Sequence, residues 1–299
     1  MNPKRQDKYK AIWMSHSSLQ DYEKCPRLYY LHNIYKDKKT GRKINIASPY
    51  TTLGIAVHNV LEALVNYKTE DRIKQDLLAN YEKEWSKFSS SISGFDNEEQ
   101  EKEFKERGRR MLQNVMSNYR VLSLKTIPLS SYYDGDMLPN YYISEEENII
   151  LCGNIDWIEY ADASKSLNVI DFKTGKNEEK EDSLQLPIYK LLLTNLQNKW
   201  KVNNGYYWYL DNDSFVEKEL PESLLKNTKT KIIKTGTEIR DKRFVWNESR
   251  GAWENVTEVE KNFTCSNGEY CDCKKYEKIL KGEATYLGID MYGKDSYKI

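Results

Sequence analysis

The chain of 299 residues carries 46 lysines and arginines against 46 aspartates and glutamates, so its formal net charge is zero. This balance excludes a global positive field as the means of attracting nucleic acid, although a local basic groove is compatible with it. No run approaches the roughly 20 apolar residues of a membrane span. The charges of residues 1–8 precede no apolar core, so we expect no signal peptide and a cytoplasmic protein. In a reducing compartment its five cysteines favour metal binding over disulfides.

The N-terminal part predicts a helix that is interrupted once. Ser17 or Ser18 is the expected N-cap, because serine oxygens accept hydrogen bonds from the first turn of a helix. Cys25-Pro26 interrupts this helix, and helical periodicity resumes over residues 27–31. Residues 36–50 are charged and contain glycine and proline, which predicts a loop.

A strongly amphipathic helix is predicted over residues 52–64. Its apolar residues recur at helical spacing and form one stripe. They are Leu53, Val57, Val60, Leu61 and Leu64. His58 lies beside this stripe, where a lone histidine is more often structural than catalytic.

Residues 69–88 and 98–122 predict two charged amphipathic helices, joined by a serine-rich segment over 89–94. The second helix carries a basic cluster over residues 105–110, made of Lys105, Arg107, Arg109 and Arg110. Two interpretations stay open for this cluster. It is either a solvated helix face or a contact with a nucleic acid.

Strands are predicted from residue 141 onward, first over 141–144 and 149–152, then in two runs that each contain an acid. Asp156 lies in the run 153–158 and Asp171 in the run 168–175. Because side chains of a strand alternate, Asp171 and Lys173 share one face while Ile170 and Phe172 point to the other. Such a pair is either an ordinary surface ion pair or part of a hydrolytic metal site.

The remaining chain predicts a helix over 183–193, a strand over 206–210, a lysine-rich helix over 221–240 and an irregular segment over 246–256. In the first of these helices, Gln185 and Tyr189 are four residues apart and share a face. The sequence contains no internal repeat and no clear linker. We therefore expect a single domain over 1–299 with a helical insertion over 66–140.

Four short motifs follow one another along the chain. They are Gly54-x-x-x-His58, Gly153-x-x-Asp156, Asp171-x-Lys173-Thr174-Gly175 and Gln185-x-x-x-Tyr189. Their order and spacing resemble the RecB-like branch of the PD-(D/E)xK nuclease superfamily. The resemblance implies an α/β fold, with a restriction-endonuclease-like core in which a central mixed sheet is flanked by helices.

The resemblance also implies a divalent-metal site. Asp156 and Asp171 would supply oxygen ligands to Mg²⁺ or Mn²⁺, which prefer hard ligands. His58 would add a nitrogen ligand, which shifts the preference toward Mn²⁺. The backbone carbonyl of Phe172 would complete the protein ligands.

Three further residues take their roles from the same family. Lys173 would position the attacking water and stabilise the charge that develops on the phosphorus centre. Gln185 and Tyr189 would order the site and contact the DNA strand. Position along the chain gives a separate prediction. Residues 66–122 leave the His58 helix and return just before the catalytic strands, so we expect them to form a helical cover over the groove, with the basic cluster of residues 105–110 facing the DNA strand.

The cysteines resemble those of iron–sulfur nucleases, including the AddB-type helicase-nucleases and the CRISPR-associated four-cysteine exonucleases. In these proteins one early cysteine and three late ones hold a 4Fe–4S cluster that clasps the chain ends. The matching residues here are Cys25, Cys265, Cys271 and Cys273, with the late ones in a clasp over 261–280. The late cysteines run C-x5-C-x-C rather than C-x-x-C followed by a third, so Zn²⁺ stays open as the alternative. Cys152 would be a buried spare thiol.

Together these features imply a metal-dependent DNA exonuclease that hydrolyses phosphodiester bonds of single-stranded DNA or duplex ends. Its setting would be phage or bacterial DNA processing, recombination or repair, in the cytoplasm of a bacterial cell or of a phage-infected host. A structure-specific endonuclease or a CRISPR spacer-processing nuclease is the alternative enzyme. A catalytically idle DNA-binding or partner-docking module is the alternative of another class, although idle members usually lose an acid or the lysine. The sequence contains no G-x-x-x-x-G-K-[ST] motif, so a helicase or recombination partner would supply any ATP-driven unwinding.

Overall fold

The computed structural model of the chain describes residues 6–88, 92–119, 121–128 and 138–299. The chain divides into two compact units. The first comprises residues 1–46, 138–153 and 222–299, and the second comprises residues 47–137 and 154–221. Among the described residues, no helix combines the length and the apolarity that crossing a bilayer requires.

The elements are numbered along the chain. The strands are β1 (Ile12–Met14), β2 (Ile44–Ile46), β3 (Asn140–Ser144), β4 (Ile149–Cys152), β5 (Trp157–Ala161), β6 (Ser166–Lys173), β7 (Lys201–Tyr209), β8 (Ser214–Lys218), β9 (Phe244–Asn247), β10 (Ala252–Asn255), β11 (Thr285–Ile289) and β12 (Asp295–Lys298). The helices are α1 (His16–Lys24), α2 (Pro26–Tyr29), α3 (Pro49–Ala63), α4 (Thr69–Arg72), α5 (Leu77–Trp85), α6 (Glu98–Ser117), α7 (Gln185–Leu196), α8 (Glu222–Arg243) and α9 (Cys273–Leu280).

The second unit is built on a mixed four-stranded sheet in the order β5-β6-β7-β8. Strands β6 and β7 are parallel, and α7 makes the crossover between them, whereas β5 and β8 join antiparallel at the edges. Parallel neighbours require such a crossover because the end of one strand and the start of the next lie at opposite ends of the sheet. The mixed α/β fold expected from the sequence is confirmed.

Helices cover both faces of this sheet. Ile170, Phe172 and Trp208 lie in one buried apolar cluster with side chains of α3, α5 and α6. On the other face, Leu186 of α7 approaches Gly205 so closely that a Cβ there would lie 3.0 Å from the leucine Cβ. Because side chains alternate along β6, this arrangement turns Asp171 toward the α7 side, as the alternation of the sequence predicts.

The basic cluster of α6 does not form a free cationic face. Arg107 is buried, and its guanidinium binds Asp211 and donates to the carbonyl of Thr174. Lys105 and Arg109 both pair with Glu82 of α5. The prediction that the whole cluster faces DNA is therefore wrong for Arg107, because this side chain is buried and its guanidinium binds groups inside the protein.

The first unit contains two three-stranded sheets and a hairpin. One sheet has the order β1-β4-β3 and packs against α8. The other has the order β11-β12-β2, and the hairpin joins β9 to β10.

Several local features of the first unit differ from those that the sequence predicts. The N-cap of α1 is Ser15, whose side chain accepts from the amide of Ser18 in a capping box. The segment 246–256, expected to be irregular, contains most of the β9–β10 hairpin, in which Trp246 pairs with Trp253 across the strands, their ring centroids 5.2 Å apart. The sheet of β2, β11 and β12 has no counterpart in the sequence prediction, because its strands are only three to five residues long and are distant along the chain.

Part of the predicted insertion lies outside the described residues. Residues 89–91, 120 and 129–137 are not described, and they include half of the serine-rich segment and a stretch near the end of the insertion. The described part contains α4, α5 and α6, which pack into the same apolar cluster as α3. The two predicted helices therefore correspond to three, because 69–88 is divided between α4 and α5.

Candidate active site

Helix α3 places His58 near the C-terminal end of β6, where its ring lies 6.0 Å from that of Phe172. The apolar stripe of this helix is buried against the helical cluster, which leaves His58 and Glu62, one turn further on, beside it. Gly54, one turn before His58, lies where a Cβ would be 3.3 Å from the Thr174 hydroxyl. The glycine therefore lets α3 approach the turn that follows Lys173.

Asp156 immediately precedes β5 rather than lying within a strand. Trp157 pairs with Ile170, so Asp156, one residue earlier, lies beside the C-terminal end of β6. Its Oδ2 accepts a hydrogen bond of 2.8 Å from the backbone amide of Phe172 and lies 3.4 Å from His58 Nδ1. The ring of Phe172 points to the other face of the sheet, between Trp157 and Trp208.

Asp171 and Lys173 form the centre of a second, adjoining group. Lys173 Nζ lies 2.9 Å from Asp171 Oδ2 and also donates to Gln185 Oε1. The amide nitrogen of Gln185 donates to Asp171 Oδ1 at 2.6 Å and to the Tyr189 hydroxyl at 2.9 Å. The motif residues of β6 and α7 therefore constitute one hydrogen-bonded network.

Two residues of the site were missed by the sequence reasoning. Glu62 Oε1 lies 3.6 Å from His58 Nδ1, and the i,i+4 spacing on a helix was the available signal. Glu179 Oε1 lies 3.0 Å from Lys173 Nζ. It belongs to the acidic loop between β6 and α7, which carries several acids without a periodic pattern that would single one out.

Burial controls the electrostatics of the site. Burial, reinforced by the charge of Asp156, raises the pKa of the Asp171 carboxyl to about 7. Burial alone would lower the pKa of Lys173, but the carboxylates of Asp171 and Glu179 outweigh it and raise that pKa. In the same way, Asp156 overcomes the effect of burial and raises the pKa of His58. Among the described residues, the carboxylates of the site are therefore offset by one lysine, Lys173, and one histidine, His58.

The donor set fits a divalent cation. Ligand atoms of His58, Glu62 and Asp156 all lie within 4.8 Å of one another. Asp171 Oδ2 is buried and, although Lys173 is close, accepts no hydrogen bond of good geometry from any described residue. Carboxylate oxygens with one imidazole suit Mg²⁺ or Mn²⁺. Asp171 itself stands apart from the three-residue group, since its carboxylate is engaged with Lys173 and Gln185.

A second candidate metal centre lies in the first unit. The thiols of Cys25, Cys265, Cys271 and Cys273 all lie within 4.8 Å of one another, and the Sγ atoms of Cys265 and Cys273 are 3.5 Å apart. Cys25 precedes α2, and Cys273 begins α9. A cluster of four thiols fits an iron–sulfur cluster or a zinc ion.

The thiols around this centre differ in acidity. Burial would raise the pKa of Cys25, but hydrogen bonds from the backbone of Leu28 and Ser266 bring it down to about 7. Burial raises the pKa of Cys273. Cys152 lies outside the group, where its Sγ is 3.5 Å from the carbonyl of Met14 and burial raises its pKa to about 11. It is therefore suited to packing rather than to binding a metal.

Comparison with known proteins agrees with this geometry. The family model described as PD-(D/E)XK nuclease superfamily matches residues 13–276, which is most of the chain. A search of curated proteins found no match. The matched region contains all the motif residues of β6, α3 and α7 and all four clustered cysteines. The chain belongs to the PD-(D/E)XK nuclease superfamily.

Proposed function

We propose that this metal-dependent nuclease is a DNA exonuclease that acts on single strands or duplex ends in bacterial or phage DNA processing, recombination or repair. The observation that carries the proposal is the convergence of Asp171, Lys173 and Gln185 beside His58 and Asp156. This arrangement puts an ammonium group beside a candidate metal site, and both features suit phosphodiester hydrolysis because they stabilise developing negative charge and activate water. The exonuclease assignment itself rests on the resemblance to the iron–sulfur exonucleases.

The residues of the site have separate roles in the reaction. His58, Asp156, Asp171 and the Phe172 carbonyl would hold the divalent ion, which would supply an acidified water and charge stabilisation at the leaving oxygen. Lys173 orients the attacking water and stabilises the negative charge of the transition state. Because Gln185 binds both Asp171 and Lys173, it fixes their separation.

Tyr189 acts through Gln185. Burial raises the pKa of its phenol, which therefore stays neutral, and the phenol oxygen accepts from the Gln185 amide. That bond sets which way the amide points, so that its oxygen faces Lys173 and its nitrogen faces Asp171. Tyr189 is thus a positioning residue for the network.

The test is digestion of end-labelled linear DNA, single- and double-stranded, beside covalently closed circles and RNA, with Mg²⁺ or Mn²⁺. We expect degradation of linear DNA from its ends while circles stay intact. Asp171→Asn and Lys173→Ala should abolish cleavage but retain DNA binding, because their contribution is made in the transition state. Asp162→Asn, a change of an exposed carboxylate, is the matched control and should keep full activity.

The outcomes separate the alternatives. Cleavage of closed circles would favour a structure-specific endonuclease. Binding without cleavage under any metal would indicate the idle DNA-binding module. Full activity in Lys173→Ala would overturn the assignment of the active site.

For the four cysteines we propose a 4Fe–4S cluster, on the strength of their one-plus-three distribution along the chain. Zinc is the second candidate because of a specific distance. Zn–S bonds of about 2.3 Å place tetrahedral sulfurs about 3.8 Å apart, close to the 3.5 Å between Cys265 and Cys273.

Iron, zinc and sulfide analysis of anaerobically purified protein decides between the two metals. Iron with acid-labile sulfide supports the cluster, and one zinc per chain replaces it. Cys25→Ser should lose the metal and lower the melting temperature, because metal binding contributes to folding. Cys152→Ser is the matched control and should retain it. Metal content unchanged in Cys25→Ser would contradict the assignment.

A further inference from the structure

Glu62 occupies a defined position in the active site. It lies one helical turn after His58 on α3, so both side chains project from the same face. Its side chain is 34% exposed, and Oε1 is 3.6 Å from His58 Nδ1. The carboxylate is thus directed toward the imidazole and is not part of the buried stripe of the helix.

The neighbouring distances match those around one metal ion. Asp156 Oδ2 lies 3.4 Å from the same nitrogen, His58 Nδ1. Around an octahedral ion with bonds of about 2.1 Å, adjacent ligand atoms are about 3.0 Å apart and opposite ones about 4.2 Å. The separations of 3.4 and 3.6 Å fall between these values. Small rotations of the side chains would therefore let the three residues bind one ion.

Each carboxylate also accepts a hydrogen bond from a group outside the three-residue set. The amide of Asn154 donates to Glu62 Oε2 at 3.3 Å, which leaves Oε1 directed to the histidine. The backbone amide of Phe172 donates to Asp156 Oδ2. Such outer contacts are typical of metal sites, where they orient the ligands.

A plain ion pair between His58 and Glu62 is the structural alternative. It explains one carboxylate at the imidazole, but here two carboxylates converge on a single histidine. Within the described parts of the chain, no lysine or arginine forms a salt bridge with Glu62 or Asp156. A divalent cation would balance the two negative charges that one imidazolium cannot balance.

We propose that Glu62 is a ligand of the active-site divalent ion, together with His58 and Asp156, and that Asn154 positions its carboxylate. The inference rests on the proposed nuclease function and adds a ligand to the motif set. Two carboxylates and one imidazole suit a hard or borderline cation such as Mn²⁺.

The experiment measures Mn²⁺ binding to the metal-free, full-length protein by the electron paramagnetic resonance signal of free Mn²⁺. Loss of an outer-shell partner usually weakens metal binding about 10- to 100-fold. Glu62→Gln, which loses a direct ligand, should therefore weaken it at least about tenfold. Asn154→Ala should cause a smaller loss. Glu103→Gln, which changes an exposed glutamate of α6, is the control and should bind like the wild type.

A thermal measurement separates ligation from a structural role. Mn²⁺ should raise the melting temperature of the wild type and of Glu103→Gln, and raise that of Glu62→Gln much less. If Glu62→Gln lowers only the metal-free melting temperature and binds Mn²⁺ like the wild type, Glu62 is a structural partner of His58 and the inference fails. If the wild type itself binds no Mn²⁺ and cleaves no DNA, the failure belongs to the proposed function.

Discussion

Replacing Arg107 with methionine tests how the helical part of the second unit supports the catalytic turn. Arg107 Nη2 donates to the carbonyl of Thr174 at 2.8 Å, immediately after Lys173. Nε and Nη2 also bind Asp211 Oδ2 at 3.1 and 3.0 Å. Methionine retains the apolar stem but removes all three contacts, so the change isolates the guanidinium.

The expected loss of unfolding free energy can be estimated contact by contact. A charged hydrogen bond such as that to Thr174 contributes about 1.5–3 kcal/mol. The Asp211 side chain is 28% exposed, so water replaces its partner and the pair adds only about 0.5–1 kcal/mol. Nη1 is buried and has no hydrogen-bond partner among the described residues. Its removal raises the free energy of unfolding by about 1 kcal/mol, because a buried unpaired donor is destabilising. The net loss is therefore about 2 kcal/mol, or roughly 4–8 °C in melting temperature.

The assay is urea unfolding followed by both circular dichroism and tryptophan fluorescence, because agreement of the two probes tests two-state behaviour. Arg110→Met, at an exposed position of the same helix, should change the unfolding free energy by less than about 0.5 kcal/mol. Arg107→Met should also lower kcat more than it raises KM, because the arginine supports the turn after Lys173. Equal stability of the two variants, or a steep rise in KM with salt in Arg107→Met, would refute the reasoning. Arg107 would then be assigned to DNA binding instead.

Two further predictions concern contacts that the structure defines closely. Gly108→Ala should lower the unfolding free energy by about 1–3 kcal/mol, because the new Cβ would lie 2.5 Å from Tyr81 Cζ. Gly175→Ala, whose Cβ would have 4.0 Å of space, is the control in the same denaturant titration; equal losses would argue against a clash. Glu179→Gln should tighten metal-free binding of single-stranded DNA about two- to fivefold, since Glu179 occupies one of the three donors of Lys173. Fluorescence anisotropy measures this, and weaker binding would show instead that Glu179 positions the lysine.

Local periodicity already determined much of the site. The alternation of β6 predicts that Asp171 and Lys173 share a face, and the helical spacing of Gln185 and Tyr189 predicts that they meet. The structure adds that Gln185 joins the two pairs through its amide. Such contacts are predictable from sequence because they depend on the geometry of one strand and one helix.

Tertiary structure alone decided the rest. Glu179, in an irregular loop, forms an ion pair with Lys173. The buried Arg107 forms an ion pair with Asp211, about 100 residues further along the chain. Strand β2 pairs with β12, which lies near the other end of the sequence. None of these contacts follows from a local period, because each depends on how segments separated by tens or hundreds of residues pack together. The sequence by itself indicated the motif residues that we propose carry the chemistry. Packing added Glu62 and Glu179 to the site and decided which charges neutralise one another and which remain for a metal ion or for DNA.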